Sequence, residues 1–165
     1  MENKTSRMSG PHWGQLLLVG LVAGMAYGMM EMVIEAVIGH GVWSPLRYIA
    51  SVFTLGRDTD PSFAAIPVVV GLMGHMMNSL TFSLIFALLI APRISSRAGL
   101  IIAGMVYAAA IFFVMWLVVL PLIDPAMRLV NPVGFFFSHV LYGLVLGAGL
   151  ALLRQRLPAA QPARA

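Results

Sequence analysis

Four ionisable side chains stand inside apolar segments of this chain, and their residue types could do chemistry. Glu31 and Glu35 lie four residues apart in one apolar segment, and His75 and His139 lie in two others. An ionised side chain at the centre of a membrane helix costs about 2.5–3.5 kcal/mol. A proton, a neighbouring side chain or a metal ion must therefore pair these groups, which makes them a hypothesis for a functional site.

Several kinds of chemistry fit this set of residues. Two carboxylates and two imidazoles suit a divalent metal ion such as iron, manganese or zinc, with Glu31, Glu35, His75 and His139 as ligands. The same groups could relay protons, since a carboxylate tunes a nearby histidine. His75 and His139 could also ligate one b-type haem. Alternatively, the four groups only hydrogen-bond one another and fix helix packing in a non-catalytic accessory or assembly subunit.

Other chemistries are disfavoured. Met25, Met29 and Met32 share a helix face, and thioethers select Cu(I), but methionine is also a common apolar filler. Ser138 and His139 are adjacent on a predicted helix and point apart, which is poor geometry for a catalytic pair. The chain has no cysteine, so disulfides and iron–sulfur clusters are excluded. An enzyme is therefore the less favoured class.

The composition indicates a membrane protein. Hydrophobic residues make up 60% of the 165 residues, charged residues only 10%, and the mean hydropathy is +0.92. A soluble domain carries about 25% charged residues, and a small fold hides only about 60–70% of its surface. The lipid bilayer is the partner that fits this composition, and the net charge of +4 does not call for nucleic acid.

Four segments are long enough to cross a bilayer, which takes about 20 apolar residues. They span about 13–39, 65–91, 98–123 and 133–153. We therefore predict an all-α membrane protein with a single four-helix domain over residues 1–157 and a disordered cytoplasmic tail over 158–165. The first segment has no cleavage site of small residues and is predicted to remain as a membrane helix.

The basic residues predict the orientation of the chain. Seven lysines and arginines fall on the side of the termini, namely Lys4, Arg7, Arg93, Arg97, Arg154, Arg156 and Arg164, and three on the other, Arg47, Arg57 and Arg128. Cytoplasmic loops carry the excess of such residues. The sequence thus predicts a multi-pass protein of a bacterial inner membrane with both termini in the cytoplasm. It leaves open whether the chain forms a homo-oligomer or joins a membrane complex.

Small residues recur at helical spacing and predict the packing faces. The first segment carries Gly20, Gly24 and Gly28, and the others carry Ser79 and Ser83, Gly104 and Ala108, and Gly143 and Gly147. Membrane helices approach one another through such faces. His75 and His139 each precede a small residue by one turn, and the glutamates continue the glycine face of the first segment. All four ionisable groups should therefore face the inside of the bundle.

The two halves of the chain look like copies. Ala23-Gly24-Met25-Ala26-Tyr27 matches Ala103-Gly104-Met105-Val106-Tyr107, and Ser44-Pro45 matches Asp124-Pro125. His75 then aligns with His139 at a smaller offset. We predict two parallel two-helix repeats related by an axis along the membrane normal. Ser44, as N-cap, and Asp124 should each open a short outer cap helix, the first lying on the membrane surface.

The second and fourth segments also carry a family resemblance. It rests on Gly74-His75-Met76-Met77-Asn78 followed by Phe82-Ser83-Leu84-Ile85-Phe86-Ala87, on Leu120-Pro121-Leu122, and on Ser138-His139. In these motifs the chain resembles the YagU-like inner-membrane proteins of bacteria, but it departs from them in the outer loop and the first helix. The resemblance implies a multispanning inner-membrane protein, supplies no established reaction, and singles out His75 and His139.

Overall fold

The computed structural model describes residues 13–54 and 59–156, and regular structure in these ranges is helical throughout. The helices are α1 (Trp13–Val37), α2 (Ser44–Ala50), α3 (Ala65–Ile85), α4 (Arg97–Val114), α5 (Leu120–Ile123) and α6 (Pro132–Arg156). π-Helical turns extend α3 over Phe86–Ile90 and join α4 to α5 over Met115–Val119. Shorter 3-10 helices cover Ser51–Thr54, Ala91–Arg93 and Pro125–Leu129.

Four of these helical stretches are long and apolar enough to cross a membrane. They are Trp13–Val37, Ala65–Arg93, Arg97–Ile123 and Pro132–Arg154, and each bound lies within two residues of the predicted one. The prediction of an all-α, multi-pass membrane protein is confirmed at this level. The first helix ends at Val37 instead of residue 39, because Gly39 adopts a left-handed backbone conformation that breaks the helix. The predicted tail over 158–165 lies outside the described residues.

α1 and α3 pack antiparallel along the predicted glycine face. A Cβ atom built on Gly24 would lie 2.7 Å from the Cβ of Ser79, and one on Gly20 would lie 2.9 Å from that of Ser83. Any larger side chain on this face of α1 would push α3 away. The small residues thus bring two polar serines against the backbone of α1, as small-residue seams do in membranes.

α4 and α6 form a second antiparallel seam. A Cβ atom on Gly104 would overlap the backbone carbonyl of Gly143, and Gly147 lies equally close to the backbone of Leu100. α6 also runs antiparallel to α1, since Gly134 packs against Ile34. The predicted packing faces are therefore the observed ones, and α1 and α6 form the centre of the bundle.

α3 and α4 close the bundle less completely. They meet where the hydroxyl of Tyr107 donates to the carbonyl of Phe82 at 3.0 Å and the ring of Tyr107 contacts Phe86. No glycine seam joins the two helices in the described residues. We call the end of the bundle where α1 begins and α6 finishes the terminal end, and the opposite end the α2 end. Between Tyr107 and the α2 end, a cavity separates α3 from α4.

The first predicted cap helix, α2, packs against the bundle. α2 is buried at Leu46 and Tyr48, because Gly71 lets the backbone of Leu46 approach α3 closely. Ser44 is the first residue of α2 instead of its N-cap, and its hydroxyl donates to the carbonyl of Gly41 at 2.8 Å. α2 therefore covers one end of the bundle as a packed element.

The α4–α6 seam can be tested by adding one methyl group. Gly104→Ala should lower the free energy of unfolding by about 1–3 kcal/mol, because the backbone carbonyl that the new Cβ meets cannot rotate away. Gly14→Ala is the matched control, since a Cβ atom at Gly14 has open space around it. Unfolding of both variants in detergent, followed by circular dichroism, measures the difference. Equal stabilities would contradict the described seam.

Candidate functional site

A cavity of about 170 Å³ lies between α3 and α4 towards the α2 end. Most of its wall is apolar, and its polar lining consists of Tyr27, His75, Asn78, Ser79, Asp124, His139 and Tyr142. Both histidines that the sequence singled out therefore border the same space. Glu31 and Glu35 are not part of the wall.

His75 is held by the backbone of α1. Its Nε2 lies 2.8 Å from the carbonyl oxygen of Gly24, and its ring packs over Gly28, where a Cβ atom would stand 3.1 Å from Nε2. A carbonyl oxygen only accepts, so Nε2 carries the proton. In the neutral imidazole, Nδ1 is then the acceptor. The glycine face of α1 thus fixes both the position and the tautomer of His75.

His139 is held by its own helix and has the opposite tautomer. Its Nδ1 lies 2.8 Å from the carbonyl oxygen of Phe135, one turn earlier in α6. Nδ1 therefore carries the proton, and Nε2 is the acceptor of the neutral ring. The second nitrogen of each imidazole, Nδ1 of His75 and Nε2 of His139, makes no hydrogen bond within the described ranges.

Tyr27 lies against both histidines. Its ring stacks on His75 with centroids 4.9 Å apart and meets His139 edge-on at 4.8 Å. The sequence analysis did not place Tyr27 in the site. Two features of the sequence could have indicated Tyr27 as a site residue, because it lies one helical turn before Glu31 and matches Tyr107 in the repeat.

The arrangement does not suit the haem that the sequence left open. The aromatic ring of Tyr27 contacts both imidazoles that would have to ligate the iron. The cavity of about 170 Å³ is also smaller than the ~300–1,000 Å³ pockets that hold drug-sized ligands. A porphyrin would need the bundle to open and Tyr27 to leave.

Glu31 is buried with one of its carboxyl oxygens unpaired. The side chain is 1% exposed, and its Oε2 accepts a hydrogen bond of 2.7 Å from the hydroxyl of Ser138 on α6. Its Oε1 has no hydrogen-bond partner among the described residues. Ser138, which points away from His139, is therefore a donor to the carboxyl group of Glu31.

Glu35 is fully buried and has a different set of partners. Its Oε1 accepts from the backbone N–H of Asn131 at 2.6 Å, and its Oε2 lies 2.8 Å from Nδ1 of His40. Asn131 in turn caps α6, because its side-chain oxygen accepts from the N–H groups of Val133 and Gly134. Glu35 therefore holds the start of α6 in place.

The four predicted ligands do not form one cluster. Glu35 pairs with His40 and the backbone, and Glu31 pairs with Ser138. Over residues 13–54 and 59–156, no group of three or more His, Asp or Glu side chains is arranged to hold a metal ion. Met25 and Met29 of the copper hypothesis are 47% and 61% exposed and face outwards from the bundle. The metal-binding prediction is not confirmed.

Asp124 is a polar member of the cavity wall that sequence analysis used only as a helix start. It is 7% exposed, and its Oδ1 lies 3.3 Å from the hydroxyl of Ser51, which donates to the carbonyl of Tyr48 at 2.7 Å. Burial raises the pKa of Asp124 to about 6, against opposing hydrogen bonds from Met127 and Ser51.

Comparisons of the chain with protein-family models, with curated proteins and with solved structures found no match. The resemblance to the YagU-like proteins thus remains a prediction.

The pKa of Asp124 predicts how stability depends on pH. The folded-state pKa, about 6, lies above the ordinary value of 3.8, so the folded protein binds this proton more tightly than the unfolded chain. The stabilisation of the folded protein by this proton is fully present below about pH 4 and is lost as the pH rises through 6. Asp124→Asn should remove this dependence and stabilise the protein at pH 8 by about 1 kcal/mol.

Thermal unfolding in detergent at pH 5 and pH 8 measures this effect. Asp60→Asn is the control, because Asp60 is exposed and the backbone N–H of Ser62 lowers the pKa of its carboxyl. Asp60 is thus ionised at both pH values, and its replacement should leave the difference between them unchanged. A pH dependence that survives in Asp124→Asn would contradict the assignment.

Proposed function

We propose that this chain is an integral inner-membrane protein that handles protons at a buried centre made of Glu31, Tyr27, His75 and His139. Glu31 carries the exchangeable proton, and the other three side chains border the cavity. The observation that carries the proposal is the unpaired Oε1 of Glu31, in a side chain that is 1% exposed within a membrane helix.

A proton is the partner that best suits the carboxyl group of Glu31. An ionised carboxylate that is buried with one oxygen lacking a hydrogen bond from the protein is costly. Among the described residues, Glu31 has no partner in an ion pair, and Ser138 supplies only one hydrogen bond. A proton on Oε1 removes the charge and leaves Oε2 to accept from Ser138. This favours proton handling over the metal ion that the sequence left open.

The neighbours of Glu31 provide acceptors towards the cavity. Tyr27 lies one turn before Glu31 on the same helix face, and its ring contacts His75 and His139. Each neutral imidazole has one nitrogen that can take up a proton, because a backbone carbonyl occupies the other. Glu and His side chains arranged in this way within a membrane are typical of proton relays.

The other carboxyl group has a structural role in this proposal. Glu35 accepts hydrogen bonds from two donors and links α1 to the start of α6. His40, which is 46% exposed, stands between Glu35 and the surface at the α2 end. Glu35 is therefore the natural control for Glu31, since it is an equally buried carboxyl group on the same helix.

The placement of the chain in the cell is part of the proposal. The excess of lysine and arginine on the side of the termini supports a cytoplasmic location for both ends. Two antiparallel seams, α1 with α3 and α4 with α6, support the pair of parallel repeats, with His75 and His139 at matching positions. The resemblance to the YagU-like proteins supports a bacterial inner membrane.

Infrared spectroscopy tests whether Glu31 carries a proton. At neutral pH the purified protein should show the C=O band of a buried carboxylic acid, and Glu31→Gln should abolish it. Ser138→Ala should shift the same band to higher frequency, because the C=O group then loses the hydrogen bond from the serine hydroxyl.

Glu35→Gln serves as the matched control and should leave the band in place. Circular dichroism of each variant verifies that the helical fold is kept. A band that persists unchanged in Glu31→Gln, or a wild-type protein without such a band, would contradict the proposed function.

A further inference from the structure

We infer that the cavity between α3 and α4 binds a single aromatic ring with hydroxyl groups, such as a phenol or a quinol headgroup, whose hydroxyls donate to His75 and His139. The inference goes beyond the proposed function, because it concerns what occupies the cavity. It rests on the size, lining and access of the cavity and does not require Glu31 to carry a proton.

The size of the cavity selects one ring. Its volume is about 170 Å³. An engineered apolar cavity of about 150 Å³ in another protein binds benzene, whereas drug-sized ligands occupy about 300–1,000 Å³. A benzene-sized ring with short substituents therefore fits the cavity.

The apolar part of the wall suits the faces of a ring. Ile49 of α2 and Ile111 and Met115 of the α4 stretch supply aliphatic and thioether surface, and Phe82 and Phe135 supply aromatic surface. Thioether and aromatic groups make favourable contacts with ring edges and faces. An apolar cavity with a few convergent polar groups is the usual form of a small-molecule site.

The two imidazoles specify the polar groups of the ligand. His75 and His139 are 8% and 7% exposed, and backbone carbonyls hold the proton of each ring on the nitrogen that faces the backbone. The remaining nitrogen of each neutral ring can only accept a hydrogen bond. A ligand that forms hydrogen bonds with both of these nitrogens must supply the donors, as hydroxyl groups do. Ethers and oxidised quinones offer acceptors alone and would leave these nitrogens unpaired.

The cavity can be entered from the side of the bundle. Asn78 on α3 and Ile123 at the end of α5 both line it and are both exposed. The cavity therefore reaches the surface of the protein between α3 and α4, within the stretches that are long and apolar enough to cross the membrane. A ring that partitions into lipid can thus enter without crossing the core of the bundle.

Equilibrium dialysis of the full chain in detergent tests the inference, with empty micelles as the blank. The probes are hydroquinone, which donates through two hydroxyls, and 1,4-dimethoxybenzene, which keeps the ring but has no donor. Hydroquinone should bind with a stoichiometry of one and about tenfold or more tighter than the diether, since each buried hydrogen bond contributes about 0.5–1.5 kcal/mol.

Two variants assign the binding to the cavity. Ile111→Phe should fill the cavity and abolish hydroquinone binding, while His139→Phe should keep a ring in place and reduce the affinity about tenfold. Met29→Phe, which changes an exposed side chain outside the cavity wall, should bind like the wild type. Equal affinities for hydroquinone and 1,4-dimethoxybenzene would overturn the inference. Hydroquinone binding that neither Ile111→Phe nor His139→Phe changes would overturn it as well. Either result would leave the infrared test of Glu31 untouched.

Discussion

The structure depends on one constraint, which is that a polar group inside lipid must find its partner within the protein. The glycine face of α1 meets this constraint for the centre of the bundle. Because Gly24 and Gly28 have no side chains, α3 comes close enough for His75 to donate to a backbone carbonyl of α1. The same helix then presents Tyr27 and Glu31 one and two turns further along the packing face. A larger residue at Gly24 would meet Ser79, push α3 away and so weaken the hydrogen bond from His75 to the backbone of α1.

The uneven packing of the helices explains why a cavity exists. Seams of small residues join α3 to α1 and α4 to α6, and α1 lies against α6. The remaining pair of neighbouring helices in the bundle is α3 and α4. These two meet where the side chain of Tyr107 contacts the backbone carbonyl of Phe82 and the ring of Phe86, so an aromatic side chain stands between the two backbones. His75 and His139 both line the gap beyond this contact. The cavity is therefore a consequence of where glycine is present and where it is not.

The sequence predicted the features that depend on local pattern. Apolar length located the four spans, and the spacing of Gly104 with Ala108 and of Gly143 with Gly147 located the two faces of a seam, because these signals are contained within single helices. It could not predict the partners of Glu35, since His40 and the backbone of Asn131 reach it only after the loops at the α2 end fold. The burial of α2 was missed for the same reason, because it depends on the contact with Gly71 on another helix.

The measurement that tests the account most directly is nitrogen-15 NMR of the histidine side chains at neutral pH. Substitution of each histidine in turn assigns the signals. The account predicts two neutral rings with opposite tautomers, His75 protonated on Nε2 and His139 protonated on Nδ1, each with one nitrogen that has no proton. Two charged imidazoles, or the same tautomer in both rings, would contradict it, because the backbone carbonyls would then not hold the histidines in the described way.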